Sequence, residues 1–94
     1  MVLLCVSIKA REGQGEAYLR AVRERGLHEK TLMEPGCRQY DFFRSEEDPD
    51  LALLVEKWES EEAFQGHLQG ENLKVFAELQ KAYIADMKAD RYAV

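Results

Sequence analysis

Residues 2–8, with the sequence VLLCVSI, limit the folds open to this chain more than any other segment. Apolar residues alternate as in a β-strand, and the positions between them include Leu3 and Cys5, so both strand faces are mostly apolar. Such a strand lies at the centre of a sheet that is covered on both faces. A chain of 94 residues forms one domain and has little material for a second cover. We therefore expect one domain over residues 1–94 that buries its open sheet face in a two-fold homodimer.

A helix and a hairpin follow this strand. Residues 16–33 have a helical composition with an imperfect apolar stripe, and the pair Pro35-Gly36 ends the helix. Residues 37–44 and 51–58 alternate like strands on either side of the polar sequence SEEDPD. Two strands joined by a short Asp/Pro turn form a β-hairpin, so we predict a helix and then a hairpin here.

The second half of the chain contains two helices and a last strand. Ser60 is a suitable N-cap for a short helix that ends near Leu68. Gly70 separates it from a second helical segment over residues 72–81, and residues 83–94 contain enough β-forming residues for a strand. The order β-α-β-β-α-α-β predicts an α+β fold with one antiparallel sheet and helices on one of its faces.

Charge and cysteine content limit the partners and the cellular compartment that we expect for this chain. The chain has 13 basic and 18 acidic residues and a net charge of −5, which argues against binding to a nucleic-acid backbone. Its apolar start, residues 1–8, is too short for a signal sequence or a membrane span. Cys5 and Cys37 lie in predicted strands, and two free thiols are typical of a reducing cytoplasm. We therefore expect a cytoplasmic protein without a nucleic-acid or membrane partner.

His67 lies between two glycines in the sequence FQGHLQG, residues 64–70. On the predicted short helix it shares the inward face with Ala63 and Phe64. A lone histidine of this kind is ordinarily a hydrogen-bonded residue at the edge of a core, and a catalytic base is the alternative. Metal binding is not expected, because the only other histidine, His28, lies on the first predicted helix and no Cys/His spacing matches a zinc site.

Residues 34–68 contain five motifs in a specific order and spacing: EPGC, Y-x-x-x-R, a D-P turn, E-x-W and EAF-x-x-HL. In these motifs the chain resembles the antibiotic biosynthesis monooxygenase family of small, dimeric, ferredoxin-like proteins. The resemblance implies a ferredoxin-like fold whose homodimer is a dimeric α/β barrel. The family includes cofactor-free oxygenases of quinols and aromatic polyketides, haem-degrading enzymes and an isomerase of a small signalling molecule. The resemblance therefore implies the fold more narrowly than the reaction.

The resemblance also implies a substrate pocket. The family histidine that matches His67 lines a pocket between the helices and the sheet, which makes His67 the candidate catalytic residue. The tryptophan that matches Trp58 lies beside the substrate in the polyketide oxygenases, although core packing is its more ordinary role. Asn72 stands where many relatives have a second histidine, and it can hydrogen-bond a substrate oxygen but cannot shuttle protons. Trp58 and Asn72 are therefore the candidate hydrogen-bond donors.

One acidic residue and several aromatic residues complete the candidate site. Glu56 lies on the same strand face as Trp58. It is a second candidate base, but we expect it to form a structural ion pair with Arg38 or Arg44. The aromatic residues offer surface for a flat apolar substrate, with core packing as the alternative. They are Tyr40, Phe42, Phe64, Phe76 and Tyr83.

The haem-degrading branch of the family does not fit this sequence. His67 stands where those members have a tryptophan, Ala77 where they have the haem-ligating histidine, and Ser7 close to their first-strand asparagine. The chain also has no phosphate-binding loop for a flavin and no set of metal ligands. We therefore expect a protein that works without a cofactor or a metal.

Three functions follow from the resemblance and the residues together. The first is a cofactor-independent monooxygenase that oxidises small electron-rich aromatics of the quinol type with O2, with His67 as base or orienting group. The second is an isomerase or degrading enzyme for a small oxygenated metabolite. The third is a dimeric binding or stress-response module without turnover, which a pocket too narrow for an aromatic ring would favour.

Overall fold

Four antiparallel strands form a single sheet in the computed structural model, which describes residues 1–94. Their order in the sheet is β2-β3-β1-β4, so β1 and β3 are central and the hairpin of β2 and β3 is intact. This arrangement confirms the predicted ferredoxin-like α+β fold. The strands are β1 (Val2–Ala10), β2 (Cys37–Arg44), β3 (Leu51–Trp58) and β4 (Ile84–Ala93).

Four helices connect the strands, one more than the sequence predicts. The predicted helix over residues 16–33 is two helices, because Gly26 adopts a left-handed conformation with φ of 64°. Glycine takes this conformation without steric cost, and the resulting change of direction lets α2 bury Leu27 and Thr31. The helices are α1 (Gly15–Glu24), α2 (Leu27–Leu32), α3 (Glu61–Leu68) and α4 (Glu71–Tyr83).

The start of α3 has the predicted cap. The Ser60 hydroxyl accepts a hydrogen bond from the backbone N–H of Ala63 at 3.1 Å, which satisfies one of the free donors of the first turn. Because β3 ends two residues before Ser60, this cap fixes α3 directly beside the end of β3. None of the four helices has the length and apolar character that crossing a membrane requires.

The core lies between the helices and one face of the sheet. Every second residue of β1, from Val2 to Ala10, is buried on this face. The largest fully buried side chains in the core include Trp58, Tyr18, Tyr40, Ile8, Leu27 and Leu54.

The other face of the sheet carries apolar side chains that no helix covers. Leu53 is 40% exposed and Phe43 is 50% exposed, and the two are paired across β3 and β2. On the neighbouring strand β1, Leu3 and Cys5 are only partly buried on the same face. The sequence predicted that both faces of β1 would need a cover, and the chain supplies one of them.

Candidate functional site

His67 is a buried histidine in the last turn of α3, with 3% of its surface exposed. Its ring stacks on the indole of Trp58, with 4.6 Å between ring centroids and 29° between ring planes. The edge of Tyr40 approaches the same ring at a centroid distance of 5.8 Å. His67 and Phe64 are the buried residues of this helix, as their spacing predicted. The imidazole is thus held between strand residues and is not free to rotate.

Two carboxylates face the two ring nitrogens of His67. The Nδ1 atom lies 3.0 Å and 3.1 Å from the two carboxylate oxygens of Glu34. The Nε2 atom lies 3.9 Å from Oε1 of Glu56, beyond hydrogen-bonding distance. Glu71, the carboxylate nearest to His67 along α4, instead contacts Lys74. A buried imidazole between two carboxylates is able to accept and return a proton.

Glu56 does not form the ion pair with arginine that its position in the sequence suggested. Arg38 donates to Glu59 at 2.6 Å on the protein surface, and Glu56 accepts a hydrogen bond from the indole N–H of Trp58 at 3.1 Å. The Glu56 side chain is almost completely buried. Burial raises the pKa of its carboxyl above the ordinary 4.5, although the indole hydrogen bond and His67 both lower it. Perturbed carboxyl groups of this kind are typical of functional sites.

Glu34 is the site residue that the sequence reasoning missed. It precedes the Pro35-Gly36 turn that leads into β2, and it lies 33 positions before His67 in the chain. The side-chain amide of Asn72 donates to Glu34 Oε2 at 2.8 Å, so the candidate substrate donor Asn72 is engaged with this carboxylate. Glu34 belongs to the EPGC motif, and that motif was the one sequence signal that pointed to it.

An apolar cavity of about 160 Å³, here called the inner pocket, lies between the sheet and helices α3 and α4. His67 and Glu56 are its two polar wall residues apart from the Tyr40 hydroxyl. Three of the predicted substrate-binding aromatic residues, Tyr40, Phe64 and Phe76, line it. The other lining residues are Leu4, Val6, Leu68, Leu73, Met87 and Ala89.

A larger polar depression of about 610 Å³, here called the outer cleft, lies on the other side of His67. His67 is the only residue that lines both the inner pocket and the outer cleft. Trp58 lines neither, and Asn72 lines only the outer cleft. The outer cleft is formed by Glu34, Pro35, Gly36, Glu59, Ser60, Glu62, Ala63, Gly66, His67, Gly70, Glu71 and Asn72.

The aromatic residues of the sequence prediction fall into two groups. Burial raises the pKa of Tyr40 far above its ordinary 10.0, and Glu56 adds to the rise, so the hydroxyl of this pocket-lining residue stays neutral. Phe42 and Tyr83 do not line the inner pocket and instead contact the ring of Tyr18, each at 6.3 Å between centroids. These two residues therefore pack against the core and are partly buried there.

The side chains offer no evident metal site. No group of three or more His, Cys, Asp or Glu side chains is arranged to hold a metal ion. The chemistry available in the inner pocket is thus that of one imidazole, one buried carboxyl and one phenol against an apolar wall.

Residues 1–79 match the family model described as antibiotic biosynthesis monooxygenase. Among solved structures, protein PA3566 from Pseudomonas aeruginosa is 28% identical with a TM-score of 0.88, and the match covers 99% of this chain and 92% of that one. A conserved protein of unknown function from Bacteroides thetaiotaomicron, named as a "Possible Oxidoreductase", is 26% identical with a TM-score of 0.82, over 97% of this chain and 94% of that one.

A third structure supports the fold alone. The "Putative antibiotic biosynthesis monooxygenase from Nitrosomonas europaea" has a TM-score of 0.89 over 100% of this chain and 98% of that chain, at 22% identity. No curated protein matches the sequence significantly.

Proposed function

This chain belongs to the antibiotic biosynthesis monooxygenase family, and on that premise we propose that it is a cofactor-independent monooxygenase of small quinols. One observation supports this choice above the others: the inner pocket is an apolar cavity with two proton-accepting side chains, His67 and Glu56, in its wall. A substrate that supplies its own electrons needs a dry pocket, a base and a hydrogen-bond donor from the protein.

The size of the inner pocket favours a substrate with a single ring. An apolar cavity of about 150 Å³ is large enough to bind benzene, and the inner pocket has about 160 Å³. A three-ring anthrone needs considerably more space than this. Among the aromatic substrates that the family resemblance suggested, the pocket volume therefore favours hydroquinones over polyketides.

The reaction requires proton removal before oxygen can react. His67 takes a phenolic proton, and the resulting phenolate transfers an electron to O2. The two radicals combine to form a carbon–oxygen bond, and protonation gives a ring hydroperoxide. Loss of water then leaves a hydroxyquinone, so that hydroquinone and O2 become hydroxyquinone and water. The substrate provides all four electrons, and one oxygen atom enters each product.

Each residue of the inner pocket has its own role in this reaction. His67 acts as the base, and Glu56 lies 3.9 Å from its Nε2 atom, so a substrate hydroxyl between the two can pass a proton from one to the other. Tyr40, with its neutral hydroxyl, is a suitable donor to the developing oxyanion. Phe64 and Phe76 give the ring an apolar contact surface. The candidate donors Trp58 and Asn72 act on the two carboxylates, through the hydrogen bonds that they already make, so their contribution to substrate binding is indirect.

Oxygen uptake with a panel of single-ring hydroquinones and three-ring anthrones tests this proposal. We expect the protein to consume one O2 per hydroquinone, to form a hydroxyquinone and to leave anthrones unchanged. The measurement is made against buffer alone, because hydroquinones oxidise slowly without a catalyst. Uptake that never exceeds the buffer rate with any hydroquinone would overturn the proposal.

A proton-shuttling isomerase is the second candidate. His67 and Glu56 both face the inner pocket, so one could remove a proton from a substrate and the other return it at a different carbon. Conversion of a small carbonyl metabolite without oxygen uptake would identify this function.

The uncovered sheet face supports a homodimer as the working form. We expect light scattering at micromolar concentration to give about twice the 10.9 kDa mass of the chain. Leu53→Lys, on the uncovered face, should dissociate the dimer because it places a charge in an apolar interface. Leu32→Lys is the matched control, because Leu32 is 38% exposed against 40% for Leu53 but lies on helix α2. A monomeric wild type, or equal effects of both variants, would contradict the face-to-face dimer.

A further inference from the structure

The contact between Glu34 and His67 determines where the imidazole carries its proton. A carboxylate has only acceptor oxygens, and both oxygens of Glu34 lie within hydrogen-bonding distance of Nδ1. The Nδ1 atom is therefore the donor in this contact. A neutral imidazole has a single N–H group, so Nε2 then holds the free lone pair.

The two ring nitrogens face different compartments. Nε2 points towards Glu56, which lines the inner pocket, and Nδ1 points towards Glu34, which lines the outer cleft. Glu34 itself does not line the inner pocket, so it has no access to a ligand bound there. Its hydrogen-bonded route to such a ligand runs through the His67 ring, beside the longer-range effect of its charge on Glu56 and Tyr40.

Glu34 is itself held in place. Its side chain is 17% exposed, and Oε2 accepts the Asn72 amide at 2.8 Å while both oxygens face Nδ1. The hydrogen bond from the Asn72 amide thus fixes the orientation of the Glu34 carboxylate relative to Nδ1 of His67. The contact to Glu56 competes weakly for the ring proton, because 3.9 Å is outside the range of a hydrogen bond.

We propose that Glu34, fixed by Asn72, is a positioning residue that holds His67 as the Nδ1–H tautomer and so presents Nε2 as a base to the inner pocket. A base oriented by a hydrogen bond to its second nitrogen is the general arrangement of activated histidines. The catalytic consequence rests on the proposed function, whereas the tautomer itself does not.

Two substitutions with opposite expected effects on the tautomer test this assignment. In Glu34→Gln, the Asn72 amide still requires an acceptor and takes the glutamine carbonyl, which turns the glutamine NH2 group towards Nδ1. Nδ1 must then accept, and the ring proton moves to Nε2. Adding Asn72→Asp reverses this, because the new carboxylate accepts from the glutamine NH2 and returns the carbonyl to Nδ1. The double variant also has the net charge of the wild type.

The tautomer is read from nitrogen-15 NMR of the labelled histidines at about pH 8, which is above the usual titration range of a free imidazole. His28→Gln identifies which signals belong to His67, since the chain has 2 histidines. We expect Nδ1–H in the wild type, Nε2–H in Glu34→Gln and Nδ1–H again in the double variant. Glu62→Gln, which makes the same change of charge in the outer cleft without contacting His67, should leave Nδ1–H unchanged.

Steady-state kinetics on a hydroquinone give the second readout. Glu34→Gln should lower kcat roughly 10- to 100-fold, as for other groups that orient a histidine through its second nitrogen. KM should change little, because Glu34 does not line the inner pocket, and the double variant should recover most of kcat.

Three results would overturn the assignment. They are a wild-type ring with Nε2–H, a doubly protonated wild-type ring at the same pH, and a folded Glu34→Gln variant that keeps Nδ1–H. The wild-type spectrum decides the matter even if a variant fails to fold. If no hydroquinone is oxidised while the tautomers follow the expected pattern, the proposed oxygenase function fails and the positioning role of Glu34 stands.

Discussion

Replacing His67 with alanine is expected to lower hydroquinone-dependent oxygen uptake roughly 10²–10⁴-fold, the usual contribution of a positioned acid–base group. The reason is that His67 is the only imidazole in the inner pocket, and its Nε2 atom lies on the side of Glu56, which also lines that pocket. The loss should be in kcat, because Tyr40, Phe64 and Phe76 still hold the ring of the substrate. Initial rates of oxygen uptake across a range of substrate concentrations measure it.

The stability of the His67 variant must be measured together with its activity. The ring packs on Trp58 and contacts Glu34, so alanine leaves a cavity and a carboxylate without its partner. His67→Gln separates the two effects, since an amide fills more of the space and can still donate to Glu34 but cannot act as a base. If a folded His67→Gln protein retains full oxygen uptake, His67 is not the base.

The fold could be predicted closely because its signals are local. Each of these signals lies within a few residues of the sequence. They are the apolar alternation in β1 and in the hairpin, the Ser60 cap, and the Pro35-Gly36 pair that ends a helix. The break at Gly26 was missed because no local sequence signal marks it. Gly26 lies inside a long segment of helical composition, and only its left-handed conformation reveals that the chain changes direction there.

The site could be predicted only where its residues follow from a motif or a helix face. His67 and Phe64 share a face of α3, and Tyr40 and Phe76 are apolar aromatics, so they were accessible to sequence reasoning. The approach of Glu34 to His67 depends on the packing of the α2–β2 turn against α3, which no local pattern records.

The predicted ion-pair partner of Glu56 was wrong, again because the contact depends on how the chain folds. We expected an ion pair with Arg38 or Arg44, but Arg38 is exposed and pairs with Glu59. Glu56 is on the buried face of β3, where an arginine would have to be desolvated as well. The hydrogen bond from Trp58, two residues along the same face, is the contact that the period of a strand allows.

Replacing Trp58 with alanine should cost about 3–5 kcal/mol in the free energy of unfolding, a large part of the roughly 5–15 kcal/mol typical of a domain. Trp58 is fully buried and stacks on His67, so the truncated side chain leaves a cavity at the centre of the core. Urea unfolding followed by circular dichroism measures the loss, since the chain has no other tryptophan to report by fluorescence. A loss below about 1 kcal/mol would mean that the core collapses around the missing ring.

Trp58→Phe keeps most of the packing and removes the indole N–H, so its cost should depend on pH. The indole hydrogen bond lowers the pKa of Glu56, whose folded-state value burial holds above the ordinary 4.5. A carboxyl with a raised folded-state pKa stabilises the protein at low pH, and this stability is lost as the pH rises through that value.

Without the indole donor the pKa of Glu56 rises further, and the ionised carboxylate is left with less compensation. Trp58→Phe should therefore lose more stability relative to wild type at about pH 8 than at about pH 4, where a carboxyl whose pKa lies above 4.5 is mainly protonated and needs the donor less. Equal losses at both values would show that Glu56 titrates independently of the indole.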